Sequence, residues 1–330
     1  MCEGIAMPRV KVLYHDNCFD GAASAALFAR FYAARIDGAA QFTFAGKSHH
    51  PGDVYEGESF DGDVNAIVDF RYSSSPRLEW WFDHHVSGFP TPEDEAHFRA
   101  HPSPHKFFDP TARSCSKYLA TVCARTFGWD WSPYAELVEW ADVIDGAQFE
   151  SPRAAVELAE PALKLMTWVE NNHDPALKLR FIDELARRPL GDIAAEPYIK
   201  DALAPILARH ARSIDIIRAR ADVERRVVLF DVADDGLDGY NKFVPYYLFP
   251  DCRYVVSVSQ SPSRTKVSVG SNPWSASTRT VNIAQICERY GGGGHPVVGA
   301  VSLKAGETAR ARQIAAEIVE ELRRAAVKEA

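Results

Sequence analysis

Acidic, imidazole and glycine residues recur in five short segments whose side chains suit metal-assisted phosphate chemistry. The segments are His15-Asp16-Asn17-Cys18-Phe19-Asp20-Gly21, Asp69, Asp83-His84-His85, Asp142 with Asp145, and Gly291-Gly292-Gly293-Gly294-His295. Carboxylate and imidazole ligands suit Mn²⁺ or Mg²⁺. Two such ions about 3.5–4 Å apart can share one bridging carboxylate and activate a water molecule between them. The residue types therefore predict a dinuclear hydrolase with Asp69 as the bridge.

Each acidic segment also has a simpler interpretation. The turn before Gly21 is equally typical of a capped helix start, because Asp is common at N-caps. Asp69 alone is typical of a turn after a strand. Of Asp142 and Asp145, one could ligate a metal while the other caps the helix or forms an ion pair. Only the combination of these segments favours a metal site.

The Asp83-His84-His85 triplet is the strongest local signal. It follows the apolar residues Trp80-Trp81-Phe82, which are typical of a buried strand. Neighbouring side chains on an extended segment point to opposite sides. We therefore expect different roles for the two histidines, such as metal ligand for His84 and phosphate contact for His85.

Four consecutive glycines precede His295. Glycines let a phosphate approach the backbone, and successive N–H groups can form an anion-binding nest. Gly292, Gly293 and Gly294 are therefore candidate substrate-binding residues, with His295 as a further donor. Arg279, upstream of this loop, is another candidate anion contact because a forked guanidinium matches phosphate. The alternative is a glycine run that ends a helix.

The elements that must position these segments alternate between strands and helices in the first part of the chain. Apolar patterns predict strands over Val10–Tyr14, Gln41–Ala45, Ala66–Asp69 and Glu79–Phe82, and helices over Gly21–Ala34, Ser114–Phe127 and Pro133–Ile144. Such alternation is typical of a parallel sheet with crossover helices, where chemistry lies at the carboxyl ends of the strands. His15, Asp69 and the Asp83-His84-His85 triplet all fall at such ends.

The pattern changes after a helical region between Pro152 and Arg220. Its last helix, over Pro197–Arg220, is expected to kink or break at Pro205. Beyond it the sequence predicts strands over Val227–Val232, Arg253–Ser259, Thr265–Val269 and Val297–Leu303, and helices over Val281–Tyr290, capped by Asn282, and Ala309–Ala326. The second and third of these strands are expected to form a hairpin.

We predict an α/β protein with two domains. A Rossmann-like parallel-sheet domain is expected over residues 1–190, a helical connector over 191–224 and a smaller α/β domain over 225–330. His97, His101 and His105 have helical spacing, but the prolines near them favour a solvated loop. Trp80 and Trp81 are expected to pack in the core.

Charge and composition limit the function classes. The 330-residue chain has a formal net charge of −8, although residues 225–330 hold 14 Lys and Arg against 11 Asp and Glu. An acidic first part suits cation ligation and argues against tracking along long nucleic acid. No apolar run is long enough for a membrane span and no signal peptide is apparent, so we expect a cytoplasmic protein. The six cysteines form no C-x-x-C pair, so we expect reduced thiols.

Taken together, the segments resemble the DHH phosphoesterase family. The resemblance rests on Asp83-His84-His85, the His15…Asp20-Gly21 turn, Asp69, Ala141-Asp142-Val143 and Gly291–His295, which extend over most of the chain. It implies a DHH catalytic domain followed by a DHH-associated substrate-binding domain. The glycine loop is similar to that of the family's nucleases, nano-RNases and cyclic-dinucleotide phosphodiesterases.

The resemblance also implies the ligands of two divalent ions. One ion would be held by Asp20, Asp69, His84 and Asp142. The other would be held by His15, Asp69 and an acid at the position where this chain has Cys18. Mn²⁺ is the expected metal, with Mg²⁺, Co²⁺ or Fe²⁺ as alternatives. The family would use His85 and His295 to contact the substrate phosphate.

Cys18 is the departure from the family pattern. A thiolate is a softer ligand than a carboxylate and would favour Fe²⁺ or Zn²⁺. Cys18 could equally lie outside the ligand shell, with Asp16 compensating for the missing acid or with weaker binding of the ion held by His15 and Asp69, which is here called the first metal. These alternatives remain open at the level of sequence.

We therefore expect an enzyme that hydrolyses short oligonucleotides, linear or cyclic dinucleotides or another small phosphate ester, with Asp69, His84 and His85 at its catalytic centre. A phosphomonoesterase or polyphosphatase would need the same centre and is the nearest rival. A catalytically silent nucleotide-binding sensor is the rival from another class, and Cys18 keeps it open. The sequence leaves the oligomeric state undetermined.

Overall fold

The computed structural model describes residues 7–48, 55, 60–237, 239–275 and 280–328. Its contacts divide the chain into two compact units, the first comprising Met1–Phe149 and Ala159–Ala204 and the second Glu150–Leu158 and Pro205–Ala330. The boundary at residue 205 lies inside the helix Pro197–Arg220, which continues through Pro205. The helix therefore does not break at Pro205, and the expected kink there stays a prediction. Residues 191–224, expected to form a connector, are divided between the two units.

Strands and helices follow one another in the order that the apolar patterns predict, with several short additions. The strands are β1 (Arg9–His15), β2 (Gln41–Lys47), β3 (Val64–Val68), β4 (Trp80–Asp83), β5 (Lys106–Phe108), β6 (Asp222–Glu224), β7 (Val227–Asp231), β8 (Tyr254–Gln260), β9 (Arg264–Ser271), β10 (Gly293–His295) and β11 (Val298–Lys304). The helices are α1 (Phe19–Arg35), α2 (Pro92–Ala100), α3 (Cys115–Phe127), α4 (Ala135–Asp145), α5 (Pro152–Glu157), α6 (Pro161–Asn171), α7 (Pro175–Leu185), α8 (Leu190–Ala194), α9 (Pro197–Arg220), α10 (Val244–Leu248), α11 (Ile283–Glu288) and α12 (Thr308–Lys328). None of the helices in the described ranges is long and apolar enough to cross a membrane.

The first unit is built on a five-stranded sheet in the order β2-β1-β3-β4-β5, and all of its strand pairs are parallel. Because parallel strands point the same way, the carboxyl ends of β1, β3 and β4 lie side by side at one edge of the sheet. The predicted α/β fold with a parallel sheet is confirmed.

Bulky aromatic residues fill the core of the first unit. Trp80 and Trp81 are at most 2% exposed, as predicted. They contact different aromatic neighbours, because successive side chains of a strand alternate between faces. Trp80 packs on Phe31 of α1, whereas Trp81 packs on Phe98 of α2. Most residues of α1 are buried, as expected for a helix with apolar or small residues on nearly every side.

Helix α2 occupies part of the segment that was expected to be a solvated loop. Thr91 caps its first turn by accepting a hydrogen bond from the Asp94 N–H, and Pro92 takes the first helical position. The helix ends two residues before Pro102, so that proline does not interrupt it. The loop expectation for His97 is therefore wrong, because the start signal at Thr91 and Pro92 outweighs the prolines that follow.

The second unit is built on a six-stranded mixed sheet in the order β10-β11-β9-β8-β7-β6. The predicted hairpin is confirmed, since β8 and β9 pair antiparallel. Apolar residues on one face of the sheet pack against α11 and α12, and those on the other face pack against α5, α10 and the end of α9. The predicted cap is also confirmed, because the Asn282 side chain accepts a hydrogen bond from the Gln285 N–H.

Candidate metal centre

Three neighbouring strands of the first unit end in candidate ligands. β1 ends at His15, Asp69 directly follows β3, and His84 and His85 directly follow β4. Helix α1 adds Asp20 from its first turn. In parallel α/β sheets this edge is where ligands bind.

One group of candidate ligands comprises Asp20, His84 and Asp145, whose ligand atoms lie within 4.8 Å of one another. His84 Nε2 lies 3.9 Å from Asp20 Oδ2 and 3.3 Å from Asp145 Oδ2. Asp20 is fully buried, and 26% of the Asp145 side chain is exposed. The group can therefore offer one imidazole and two carboxylates to a cation.

The other group comprises His15, Asp69 and His85. Asp69 Oδ2 lies 3.4 Å from His15 Nδ1, and Asp69 Oδ1 lies 3.8 Å from His85 Nδ1. Asp69 also reaches the group of Asp20, His84 and Asp145, because its Oδ1 lies 3.4 Å from His84 Nε2. Asp69 thus contacts members of both groups, which is the position expected of a bridging carboxylate.

Asp69 is held in an uncommon backbone conformation. Its φ of 56° lies in the left-handed region, where non-glycine residues are rare and cluster at functional sites. The side chain is 1% exposed, and neither carboxylate oxygen has a hydrogen bond of good geometry within the described residues. Burial raises its pKa, but the nearby His15 and His84 outweigh burial and lower the pKa to about 2. A buried, ionised carboxylate with two open oxygens fits a cation ligand.

His84 and His85 both face the metal centre, because they follow the end of β4 and are not part of the strand. The expectation that they have different roles stays a prediction. β4 ends at Asp83, and the two rings beyond it lie 4.5 Å apart. Each ring has its own partner: His84 Nδ1 lies 3.1 Å from the Ala112 carbonyl oxygen, and His85 Nδ1 lies 2.7 Å from Asp83 Oδ1. With His84 Nδ1–H donating to that carbonyl, Nε2 faces the carboxylates. Such partners orient metal-binding histidines.

The carboxylates of this centre lie close enough to oppose one another's ionisation. Burial, and then the charges of Asp69 and Asp145, raise the pKa of Asp20 well above its usual value. Burial, and then Asp69, raise the pKa of Asp145 to about 6. Burial favours neutral His84, but Asp69, Asp20 and Asp145 outweigh burial and raise its pKa to about 10. A proton on His84 thus offsets part of the negative charge at neutral pH.

Asp20 also connects α1 to α3. Its carboxylate accepts hydrogen bonds from the N–H groups of Cys115 at 2.7 Å and Ser116 at 3.0 Å. These residues begin α3, where backbone N–H groups lack helical partners and the helix dipole favours negative charge. Asp20 therefore fixes the N-terminus of α3 as well as facing His84.

Asp142, which the family resemblance assigned to a metal, lies outside both groups. Its buried carboxylate lies 2.6 Å from the Arg113 guanidinium and accepts a hydrogen bond from the Ser114 hydroxyl at 3.1 Å. Asp145, one helical turn further along α4, lies beside His84 instead. The structure therefore gives Asp142 an ion-pair partner and places Asp145 among the candidate ligands, and the role of Asp145 as a metal ligand stays a prediction.

Cys18 also lies outside both groups, at the N-cap position of α1. Burial raises the pKa of its thiol well above the usual value, and the charges of Asp69 and Asp20 raise it further. The position of Cys18 outside both groups, rather than its pKa, is the observation that separates it from the candidate ligands. His85 instead joins His15 and Asp69 in their group.

The partners that orient the two histidines were not identified from the sequence. Asp83 carries a local signal, because it lies two residues before His85 and is part of the same triplet. No signal marks the Ala112 carbonyl oxygen, since any residue would provide one. The contact of His84 with Ala112 joins residues 28 positions apart and therefore depends on how the segment before α3 packs against the end of β4.

The glycine segment of the second unit ends a helix and begins a strand. The Gly291 and Gly292 N–H groups donate to the carbonyl oxygens of Glu288 and Cys287, at 3.0 and 2.9 Å. The helix-ending alternative therefore applies to these two glycines, and their N–H groups are already used. Gly293–His295 forms β10, which pairs with β11.

The glycines of this segment differ in what a side chain would meet. A Cβ atom on Gly292 or Gly294 would lie 2.2 or 2.3 Å from a carbonyl oxygen of β11, whereas one on Gly293 would meet nothing within 4 Å. Close packing therefore requires glycine at 292 and 294. Gly293 and the exposed His295 are the part of the segment open to a ligand. Arg279 lies outside the described residues.

Comparison with known proteins identifies the architecture. No protein-family profile matches the sequence, and no curated protein matches it. Among solved structures, the pGpG-specific phosphodiesterase PggH from Vibrio cholerae matches with a TM-score of 0.67 at 20% identity, over 98% of this chain and 100% of that chain. The DHH domain of a protein described as belonging to a family of ribosomal proteins matches with a TM-score of 0.56 at 10% identity, over 94% and 86% of the two chains.

The chain has the DHH-domain fold. RecJ from Thermus thermophilus, in complex with Mn²⁺, also matches with a TM-score of 0.50 at 14% identity, over 96% of this chain and 52% of RecJ. The resemblance seen in the sequence is thereby confirmed at the level of the fold. The structural matches show the shared DHH fold. Because the sequence identities are low, the chemistry of the centre must be argued from its own residues.

Proposed function

We propose that this DHH-fold protein is a metal-dependent phosphoesterase that hydrolyses short phosphodiesters, namely short oligonucleotides or linear or cyclic dinucleotides. The observation that carries the proposal is the pair of ligand groups that meet at Asp69. Two ions that share a carboxylate are a recurrent solution for phosphate ester hydrolysis. The similarity to PggH, a phosphodiesterase, supports the same reaction class.

The donor set fits two divalent cations. We assign His15, Asp69 and His85 to the first ion, which replaces the phosphate contact that the sequence suggested for His85. We assign Asp20, Asp69, His84 and Asp145 to the second ion. Nitrogen and carboxylate donors suit Mn²⁺, with Mg²⁺, Co²⁺ or Fe²⁺ as alternatives, and the RecJ neighbour binds Mn²⁺. Burial and neighbouring carboxylates raise the pKa values of Asp20 and Asp145, and a cation held here would offset the negative charge that these groups carry when ionised.

When bound, the two cations stabilise negative charge on the phosphoryl oxygens and lower the pKa of a water molecule. The chain supplies the fixed geometry for that chemistry. The left-handed backbone at Asp69 turns its carboxylate toward both groups. The Ala112 carbonyl oxygen and the Asp83 carboxylate hold the His84 and His85 rings, so neither ring must reorient during the reaction.

The substrate phosphate is assigned to the open part of the glycine segment. Gly293 offers an approach free of side chains, and His295 offers an exposed imidazole. Gly292 and Gly294 shape the turn through close packing against β11. Arg279 remains a candidate anion contact on the strength of the sequence alone. Short substrates are favoured over long strands because the chain has a net charge of −8.

A turnover panel tests the proposal. Metal-free protein is reconstituted with Mn²⁺, Mg²⁺, Co²⁺ or Fe²⁺ and given dinucleotides, longer oligonucleotides, cyclic dinucleotides, 3′-phosphoadenosine 5′-phosphate and pyrophosphate. We expect Mn²⁺-dependent cleavage of dinucleotides with rates that fall as the oligonucleotide lengthens. Asp69→Asn and His84→Ala should abolish cleavage, whereas Asp192→Asn, at an exposed carboxylate of α8, should leave it unchanged.

Each other outcome of the panel contradicts the proposal in a defined way. Turnover of 3′-phosphoadenosine 5′-phosphate or pyrophosphate, without cleavage of any phosphodiester, would replace it with a phosphomonoesterase or pyrophosphate-cleaving activity. Nucleotide binding by folded, metal-loaded protein without turnover of any substrate would replace it with a sensor.

A further inference from the structure

Lys178 is a buried cation that the proposed chemistry does not use. It lies on α7, far from the metal centre in sequence, and only 7% of its side chain is exposed. Lysine is almost never buried to this extent without a partner, because removing an ammonium group from water is costly. Its partners therefore indicate why it is there.

Both partners of Lys178 lie in the loop between β1 and α1. The Lys178 ammonium donates to Asp16 Oδ1 at 2.7 Å and to Asn17 Oδ1 at 2.8 Å. Asp16 Oδ1 also accepts a hydrogen bond from the Asn17 N–H at 2.9 Å. Asn17 has a φ of 55°, in the left-handed region that Asn tolerates better than most residues. One ammonium thus fixes two successive side chains of a strained turn.

Strand β2 closes the other side of the Asp16 carboxylate. A Cβ atom at Gly46 would lie 2.7 Å from Asp16 Cγ, so only glycine leaves room for this carboxylate. The Asp16 N–H donates to the Lys47 carbonyl oxygen at 2.8 Å, which extends the pairing of β1 with β2. Asp16 therefore packs between β2 and Lys178, with 22% of its side chain exposed, and belongs to neither group of metal ligands. It does not supply the acid that Cys18 replaces.

This loop separates the two metal-ligand groups along the chain. His15 precedes Asp16 and belongs to the first group, whereas Asp20 follows the loop and belongs to the second. A shift of the turn would move the His15 imidazole relative to Asp69, because His15 is covalently joined to Asp16. Asp20 is anchored separately, through its hydrogen bonds to the start of α3. Loss of the loop clamp should therefore affect the first group more than the second.

We infer that Lys178 is a positioning residue for the first metal site: through Asp16 and Asn17 it holds the loop that places His15 opposite Asp69. It also neutralises Asp16, so that this carboxylate does not compete for a cation. The inference rests on the proposed function, because it takes the two ligand groups as metal sites. Lys178 acts through the loop and touches neither ions nor substrate.

Metal titration of the full-length protein tests this inference. Metal-free proteins are titrated with Mn²⁺ by calorimetry and by electron paramagnetic resonance. The set comprises wild type, Lys178→Met, Lys178→Arg and Asp16→Asn. Lys200→Met, at an exposed lysine of α9, is the control. Partners outside the ligand shell are typically worth about 10–100-fold in metal affinity. We expect Lys178→Met to weaken the first site by that factor and to change the second site less than about threefold; weakening of the second site alone would overturn the inference. Lys178→Arg should recover part of the loss, and Lys200→Met should match wild type.

The double variant Asp16→Asn/Lys178→Met separates a clamp from general stability. If the two residues act as one unit, the double variant should lose no more metal affinity than Lys178→Met alone. Equal affinities of wild type and Lys178→Met at both sites, even with a lower melting temperature, would overturn the inference. Equal weakening of both sites would also overturn it. If Lys178→Met does not fold, Lys178→Arg and Asp16→Asn decide in the same titration, and unchanged affinity at both sites in these two variants would overturn the inference.

The two proposals fail differently. If wild type binds two ions and cleaves dinucleotides but Lys178→Met keeps the wild-type first-site affinity, only the role proposed for Lys178 is contradicted. Wild-type protein that binds two ions but turns over no substrate contradicts the proposed function, while the titration still decides the role of Lys178. Wild-type protein that binds no ion contradicts both.

Discussion

The proton on His84 should compete directly with the cation of the second metal group. Burial opposes protonation, but Asp69, Asp20 and Asp145 raise the His84 pKa to about 10 in the metal-free protein. At pH 7 the ring is therefore an imidazolium, and ligation requires that it lose a proton. Because one proton is displaced, the apparent affinity for the metal should rise tenfold per pH unit from pH 7 to pH 10. Over the whole interval this amounts to roughly 4 kcal/mol.

The same shift makes a prediction about stability without metal. The His84 pKa is higher in the folded protein than the value of about 6.5 expected in the unfolded chain. Protonated His84 therefore contributes stability that is fully present below about pH 6.5 and is lost as the pH rises toward about 10. Addition of metal should remove this pH dependence, because the cation replaces the proton as the counter-charge.

Calorimetric titration with Mg²⁺ at pH 6.5, 7.5 and 8.5, in pairs of buffers with different ionisation enthalpies, counts the released protons. We expect at least one proton per second-site ion and an affinity that keeps rising about tenfold per pH unit up to pH 8.5. His84→Gln should weaken binding and reduce the number of released protons. His101→Gln, at an exposed histidine next to α2, is the matched control and should behave as wild type.

Affinity that levels off above about pH 7 would refute this reasoning. An imidazole with an ordinary pKa of about 6.5 is already neutral there and has no proton to release. Such a plateau would mean that the three carboxylates do not stabilise His84 as an imidazolium.

Three further outcomes follow from the site. Asp145→Asn should weaken metal binding by more than about 100-fold in a metal titration. Asp142→Asn should leave metal binding nearly unchanged but lower the free energy of unfolding, measured by urea titration, by about 1–3 kcal/mol. Stronger loss of metal binding in Asp142→Asn than in Asp145→Asn would contradict the ligand assignment. Gly293→Ala should change the free energy of unfolding by less than about 0.5 kcal/mol and raise KM for a dinucleotide. Gly292→Ala should lower the free energy of unfolding by about 1–3 kcal/mol, because its Cβ would lie 2.2 Å from a carbonyl oxygen. A normal KM in Gly293→Ala would exclude this residue from the phosphate site. Cys18→Ser should change Mn²⁺ affinity less than about threefold, and a larger change would restore Cys18 as a ligand.

Much of the fold could be predicted because its signals are local. The apolar run before Asp69 and the alanine-rich pattern after Gly21 each specify one element and one buried face. Alternation of such elements then indicates a parallel sheet, and that sheet places His15, Asp69 and His84 at one edge. These residues required no knowledge of distant contacts to be selected.

The remaining assignments depended on long-range packing. Asp142 and Asp145 differ by one helical turn, and which of them faces His84 is decided by how α4 packs and by the positions of Arg113 and Ser114. The sequence of α4 alone cannot distinguish these carboxylates.

Lys178 illustrates the same limit. It contacts Asp16 across 162 residues, and a lysine in a helix of mixed polarity carries no signal of burial. The glycine segment shows a further limit, because the hydrogen bonds that end α11 occupy N–H groups that the sequence suggested for an anion.

The most direct test of the dinuclear centre is anomalous diffraction from crystals of the Mn²⁺-loaded protein. The structure predicts two Mn²⁺ peaks that share Asp69 as a ligand, one completed by His15 and His85 and the other by Asp20, His84 and Asp145. A single peak, or two peaks without Asp69 between them, would contradict the central claim.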